Sequence, residues 1–525
     1  MSEAVRRLSP LTKLKRRTLM LGAGIALAAL SMGSVPSFAA GGEVVFVVNA
    51  DISTTDPHRI GSSVDQVYVA NVFESLTGRG QDGGVMPKLA ESYKASEDGL
   101  TYDFVLRKGV TFHNGDAFDA DDVIYSWQRA SNPELKNRFA PFLVNKIKGI
   151  DRVSDHEVRI HLKSLNPTLL SDMSTFFPIV PKDYAEKAGP EGFASAPIGT
   201  GPFKLVSRAV QSGFKLETND AYWGDKPKIE GVDVRVVPDD STRVAMLMAG
   251  EADVVQNLPT FMMAQIDSVP GLEALVLPAI QEQFFLYNPQ SRVWDLKVRQ
   301  AIAKAVDVET IAATLFHGST SPLPGFCLPQ RELGCDGSLA ATKFDPEGAR
   351  KLLEEAKFDF GQPLRLIGLA PGGAPNSKET VEAVASYLGK IGVKTEVILM
   401  ESGALRAFRA QEVKDYSKHD LIFYAYAALN SDPTQKLTFM KTGGPGSFHS
   451  MPEYDAMIAT LDAEPKQEAR AGLISKMLKY IDDQAYVLNL WNTDAVYGKK
   501  KEISWAPPPD VIMPVFATLE RKAAN

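Results

Sequence analysis

The sequence predicts a two-lobed α/β protein, and three observations carry that expectation. At 525 residues the chain is too long for one hydrophobic core, so two or three lobes are expected. Up to about residue 240 the dominant signal is the period-2 alternation of strands. From 364 to 427, strand-like and helix-like segments alternate, as in a parallel sheet with crossover helices. With 44% hydrophobic and 23% charged residues, the composition is globular rather than disordered or fibrous.

The first 39 residues stand apart. A basic start, an apolar run from Leu19 to Val35 and a small-residue exit at Ser37-Phe38-Ala39 predict a cleaved export leader, with Ala40 first in the mature chain. Gly22, Gly24, Ser31, Gly33 and Ser34 make the run a poor membrane span. Arg16-Arg17 leaves both the general and the twin-arginine export routes open. The leader holds no cysteine for a lipid anchor, so the expected location is the periplasm. Losing six basic residues and one acidic residue lowers the totals of 57 and 64 to 51 and 63, a net charge of -12. That balance argues against nucleic acid and anionic membranes as partners. Cys327 and Cys335 share one Pro/Gly-rich loop, which in an oxidising compartment reads as a local disulfide; two cysteines without a nearby histidine do not complete a metal site.

Taken in order, "LTYDFVLRKGVTF" sets Tyr102, Phe104 and Leu106 on one strand face, and "HEVRIHLKS" does the same with Val158, Ile160 and Leu162. "FKLVSRAVQSGFKLETN" reads as two strands about Gln211-Ser212-Gly213. "DDSTRVAMLMAGEADVV" is an N-capped helix ended by Gly250 and followed by a short strand. "DLKVRQAIAKAVDVETIAATLF" places Val298, Ile302, Ala305 and Val306 on one helical stripe. "LRLIGL", "VKTEVILM" and "DLIFYAYA" are strands separated by the helices "SKETVEAVASYLGKIG" and "ALRAFRAQE".

"FHNGDAFDADDV" gathers His113, Asp116, Asp119, Asp121 and Asp122, a cluster that could bind metal, perform acid–base chemistry or shape the chain. Asn114-Gly115 is a strong turn signal. Asp119 precedes a helical pattern as its N-cap, with Asp121 and Asp122 in the first turn, where the helix dipole favours negative charge. The spacing fits neither a calcium loop nor a histidine metal pair. Turn-and-cap chemistry is the expectation. "IGTGPFKL" carries Gly199 and Gly201 but precedes a strand, so it reads as a turn rather than a phosphate loop. The seven histidines are scattered, and no Gly-x-Ser-x-Gly elbow is present.

"TYDFVLRKGVTFHNGDAFDADDVIYSW" resembles the signature segment of the family 5 extracellular solute-binding proteins, the dipeptide- and oligopeptide-binding components of ABC importers. "DPHR" with "VFESL", then "IGTGPFKLV" with "YWGDKPKIEGVDVRVVPDDSTRVAMLMAGEADVV", then "VWDLKVRQAIAKAVDVETI" and "FDPEGARKLLEEA" agree in order. The resemblance implies a type II periplasmic binding protein fold, two lobes closing on a ligand, with an extra third domain. Domain I would comprise 40–80, 192–278 and 500–525, domain II 81–191, and domain III 279–499. Hinges would lie near Pro278–Gln283 and Asp494–Lys499.

The resemblance implies binding rather than catalysis, no cofactor, and an inner-membrane permease with ATPase subunits as partner of a monomer. The candidate ligand contacts are Ser62, Ser63, Phe284, Tyr424, Tyr426, Asn430, Asp432, Trp491 and Asn492. In peptide-binding relatives an aromatic at the Tyr426 position borders the cavity, and an aspartate three residues later holds the peptide's amino group. Leu429 stands at that position here. A modified peptide, an opine-like conjugate or a sugar derivative is therefore a second expectation beside simple peptides. An exported hydrolase or a chaperone would be the readings from other classes.

Overall fold

The strand Glu43–Val48 shows how the first lobe is organised. Its run of four valines and a phenylalanine is apolar on both faces: Val44, Phe46 and Val48 enter one core, and Val47 enters a smaller one behind the sheet. A strand buried on both faces belongs in the middle of a covered sheet. It lies between Gly231–Val236 and Val254–Gln256, parallel to both. The complete seven-stranded order is Leu272–Leu277, Ala495–Lys500, Val254–Gln256, Glu43–Val48, Gly231–Val236, Gly213–Thr218 and Phe203–Ala209. The structure is a computed structural model that describes residues 42–522, apart from 62, 81–83, 139, 141–142, 278, 280, 330, 371–373, 402, 406, 409–417, 428–431, 444–450 and 508–513. The export leader lies outside the described residues.

Beside this sheet stands an antiparallel four-stranded one, in the order Ala90–Ala95, Thr101–Leu106, Glu157–Leu162 and Ile147–Ser154. The faces follow the alternation in the sequence: Tyr102, Phe104, Leu106, Val158, Ile160 and Leu162 are buried together. On the outer face Asp103 meets Arg159 across the strands at 2.6 Å.

A second, separate core runs from Phe284 to Trp491. Its six-stranded sheet has the order Thr320–Pro322, Val487–Thr493, Gln281–Tyr287, Leu421–Ala427, Leu364–Leu369 and Thr395–Met400. Leu364–Leu369 is parallel to both of its neighbours, and the helix Ser377–Lys390 forms the crossover, as the alternation predicts. The expected helix at "ALRAFRAQE" falls largely outside the described residues. The stripe through Val306 is interrupted. Helix Leu296–Ala305 stops because Asp307 caps a new helix, Val308–Phe316, by accepting the Thr310 N–H. Val306 is thereby left extended at the break.

The chain passes between the two sheets twice, from Leu277 to Gln281 and from Thr493 to Ala495. Because Ala495–Lys500 lies in the seven-stranded sheet, the second change of sheet comes at Asp494, ahead of residue 500. The crossings are tied together. Asn492 Nδ2 donates to the Ala279 carbonyl at 2.9 Å, and Asn492 Oδ1 accepts from Gln281 N at 2.8 Å. Arg331 reaches in from the cysteine loop to Asp494 at 3.1 Å and to the Ala279 carbonyl at 3.2 Å.

Candidate functional site

The aspartate cluster resolves into local structure. Asp119 accepts from Asp121 N at 2.8 Å, and Asp122 accepts from Asp119 N at 3.0 Å, closing a capping box on helix Ala120–Ala130. Asp122 also receives the Lys182 N–H at 2.8 Å, docking a second helix start. Gly115, at φ 91°, makes the turn that returns the chain to Phe112. His113 lies over the Gly199–Gly201 turn. Its Nε2 donates to the Gly201 carbonyl at 3.0 Å, and Nδ1 accepts from Gly199 N at 3.2 Å. Burial holds this ring down to about 4, so it is neutral. Both glycines lie against the Val72 carbonyl, where a Cβ on Gly199 would stand 2.0 Å from the oxygen. These residues are spent on the fold of the first lobe.

A cavity of about 500 Å³ opens within the same lobe, bordered by Glu74, Lys88, Arg107, Tyr222 and Trp223. Glu74 is saturated there. It takes hydrogen bonds from Tyr222 and Trp223, both at 2.7 Å, and from Thr200 at 3.0 Å, with Lys88 at 3.1 Å. The lining comes wholly from first-lobe residues, so this cavity is distinct from the junction between lobes.

The candidate site at that junction centres on Tyr426. On Leu421–Ala427 it stands directly opposite Glu282, which is itself opposite Asn492, so the three share one sheet face. Tyr426 packs on Leu323 and Leu328, and its hydroxyl donates to Gln435 at 3.3 Å. Burial raises its phenol well above the usual value, and the carboxylates of Glu332, Glu282, Asp432 and Asp172 add to the rise. Asp172 belongs to helix Leu169–Phe176 of the first lobe, whereas the other three belong to the second. Charges from both lobes therefore converge on Tyr426.

Asp432 is occupied. It accepts from Thr434 N at 2.8 Å at the start of helix Thr434–Phe439 and pairs with Arg470 at 3.2 Å. Asp172 pairs with Lys146 at 3.9 Å and accepts from Thr168 at 2.7 Å; burial pushes its carboxyl up to about 6. Below Tyr426, Lys436 donates to Glu282 at 2.7 and 2.8 Å and to Glu332 at 2.9 Å, all three fully buried side chains. Burial pushes the Glu282 carboxyl up to about 7, with Lys436 pulling it down and Glu332 adding to the rise. Burial opposes the charge on Lys436, but its two carboxylate partners hold its pKa above the ordinary value, so the ammonium stays charged. The same ammonium, Lys436 Nζ, also sits 4.8 Å from the centroid of the Phe326 ring.

The other candidates divide by role. Phe284 and Tyr424 stack with ring centroids 5.8 Å apart inside the second core. Trp491 is fully buried, donating to Gln283 at 3.1 Å and packing on Phe316. Asn492 ties the two crossings together. Tyr426 and Asp432 are at the junction. Ser62, Asn430 and Leu429, and the side chain of Ser63, lie outside the described residues. Cys327 and Cys335 form a disulfide, and its loop carries both Arg331 and Glu332. Sequence reasoning missed the Glu282–Lys436–Glu332 group. The available signal was Glu282 itself, a charge within the otherwise strand-like run "QEQFFLY".

Comparison with known proteins agrees with this architecture. A family model described as bacterial extracellular solute-binding proteins, family 5 Middle, matches residues 84–448. A probable di/tripeptide-binding protein 5 of Pseudomonas aeruginosa is 31% identical, covering 80% of this chain and 84% of that one. Heme-binding protein A of Haemophilus influenzae is 28% identical over 76% of this chain and 78% of its own. The crystal structure of NikA from Brucella suis in complex with Fe(III)-EDTA superposes with a TM-score of 0.82 at 26% identity, covering 91% of this chain and all of that one (100%). Two cores joined by paired crossings, a junction charged from both sides and a match running through most of the chain have one common explanation: this chain belongs to the bacterial extracellular solute-binding proteins of family 5.

Proposed function

We propose that this chain captures a peptide or peptide-like small solute between its lobes and delivers it to a membrane permease driven by ATPase subunits. The observation that carries the reading is the placement of Tyr426, Glu282 and Asn492 on one sheet face beside the two tied crossings, with the Asp172 charge of the other lobe acting on the same phenol. A site built half from each lobe is complete only when the lobes approach, so ligand and closure stabilise each other. The relative named for di- and tripeptides supports the peptide class. The protein acts by binding, without catalysis or a cofactor. It works as a monomer in the periplasm, after a leader has been removed behind Ala39.

In this reading domain I is assembled from 40–80, 192–278 and the C-terminal segment, domain II is 81–191, and domain III follows from 279. The crossings at Ala279 and Asp494 act as hinges. Tyr426, Asp432 and Asn492 border the ligand, together with Ser62, Ser63 and Asn430; Phe284, Tyr424 and Trp491 support them from the sheet.

Native mass spectrometry of protein purified from its exporting cell tests the proposal. The expected result is a one-to-one adduct with a small solute containing amide bonds, released on unfolding. A bare chain mass, together with no thermal shift from a di- and tripeptide panel, would overturn it.

A further inference from the structure

The charges at the junction do not balance, and the imbalance is local. Asp432 has Arg470, and Asp172 has Lys146. Glu282 and Glu332, in contrast, share the single ammonium of Lys436. Arg331, next in sequence to Glu332, is turned to Asp494 and the Ala279 carbonyl at the crossings. With both carboxylates ionised, two on one lysine leave an excess negative charge where none of the three side chains is more than 1% exposed, and without a further cation it is a proton on Glu282, pushed up to about 7, that relieves it. An uncompensated charge in such a place is strongly unfavourable unless a partner arrives.

The excess has an address. Glu332 Oε2 is used twice, by Lys436 and by Leu328 N at 2.8 Å. Glu332 Oε1 is buried and has no hydrogen-bond partner among the described residues. A buried carboxylate oxygen without a donor is the exception in folded proteins and calls for a missing group. Glu332 holds Leu328 N, and Leu328 packs against Tyr426, so this carboxylate belongs to the same junction.

We propose that Glu332 is the anchor for a cationic group of the ligand, an ammonium or guanidinium seated between Glu332 Oε1 and Tyr426. The inference rests on the solute-capture reading above and narrows it to ligands that bring positive charge to this point. It supplies through the cysteine loop the carboxylate that Leu429 cannot supply. An incoming N–H donor would satisfy Oε1, and its charge would give the two glutamates a second cation beside Lys436.

Calorimetry with three probes tests this: the dipeptide Ala-Leu, its N-acetyl derivative, and N-acetyl-Ala-Lys. The probe whose ammonium reaches Glu332 should bind wild type at least about tenfold more tightly than N-acetyl-Ala-Leu, which carries no ammonium. In Glu332→Gln that preference should vanish. A merely structural role for Glu332 would weaken all probes alike, which would overturn the proposal. Equal wild-type affinity for the probes with and without an ammonium would overturn it too, and that measurement needs no variant to fold. If no probe binds, the peptide reading fails first and this inference with it.

Discussion

Arg129 clasps Asp56 at two points, Nη1 to Oδ1 at 2.7 Å and Nη2 to Oδ2 at 2.5 Å, with both side chains buried. The pair fastens the Asp56-Pro57-His58-Arg59 turn to the last turn of helix Ala120–Ala130, and the guanidinium also covers the Phe193 ring at 4.9 Å. Burial alone would raise the Asp56 carboxyl. The Arg129 hydrogen bonds and charge, with smaller help from His58, bring it below the ordinary value instead. Asp56→Asn leaves a buried guanidinium without its counter-charge and should cost about 3–5 kcal/mol in urea unfolding. The double change Asp56→Leu, Arg129→Met should recover much of that loss. A single variant within about 1 kcal/mol of wild type would contradict the role given to the pair.

His113 gives a pH prediction with a definite sign. Its native ring holds no second proton until the pH reaches about 4, because burial, opposed by the bond to the Gly201 carbonyl and helped by the Lys204 charge, favours the neutral form. The unfolded chain takes up that proton at the ordinary imidazole value near 6.5. Stability is therefore constant above about pH 7 and falls as the pH drops through the interval, by up to about 3 kcal/mol from this residue. Asp122 and Asp172, both pushed up to about 6 by burial, act in the opposite sense. The contribution of His113 is thus read from the difference between wild type and His113→Gln in melting scans from pH 7.5 to 4.5. Wild type should lose more on acidification than the variant. A native His113 titrating near 6.5 by NMR would refute the assignment.

The cysteine loop should matter for binding beyond its effect on stability. Denatured, unreduced protein should accept no thiol label, and two labels per chain would contradict the disulfide. Opening a loop this short releases roughly 2–3 kcal/mol of constraint on the unfolded chain. Because Arg331 and Glu332 both ride on the loop, reduction should also weaken ligand affinity at temperatures where the protein remains folded. Calorimetry before and after reduction measures that directly; unchanged affinity would detach the loop from the site.

Asp432 is predicted to act on structure rather than as a mobile ligand anchor. Asp432→Ala removes the acceptor at Thr434 N and the partner of buried Arg470, and should lower stability by about 2–4 kcal/mol. Leu429→Asp is the change expected to raise affinity for dipeptides with free amino groups beyond what Glu332 supplies, since it adds a carboxylate three residues after Tyr426, where the family resemblance implies one. A Leu429→Asp variant with no gain for Ala-Leu would count against an amino group bound near Tyr426.

Much of the fold was legible because its signals are local. Period-2 faces gave Tyr102, Phe104 and Leu106; Asp119 and Asp239 gave helix starts; and the strand–helix alternation gave the parallel strand pairs. The break at Val306 was not legible from apolar spacing alone, because a capping bond from Asp307 outweighed the continuing stripe. The site was less legible still. Aromatic alternation in "LIFYAYA" gives two faces but not their depth, and Tyr424 proves to be core whereas Tyr426 is at the junction. Glu282, Glu332 and Lys436 lie 50 and 104 residues apart along the chain and meet only through tertiary packing, so no spacing rule could join them.

The place of Glu43–Val48 at the heart of its sheet has a consequence for synthesis. The strand made first has its parallel neighbours made at Gly231–Val236 and Val254–Gln256, and the sheet is finished only by Ala495–Lys500. A chain halted just before Ala495 would already hold every strand of the second lobe's sheet. Its first sheet, however, would end at the three-residue strand Val254–Gln256, with Leu272–Leu277 left unattached because Ala495–Lys500 is its only partner strand among the described residues. Such distant pairing makes assembly slow. Clipping the tail of this protein therefore injures its beginning.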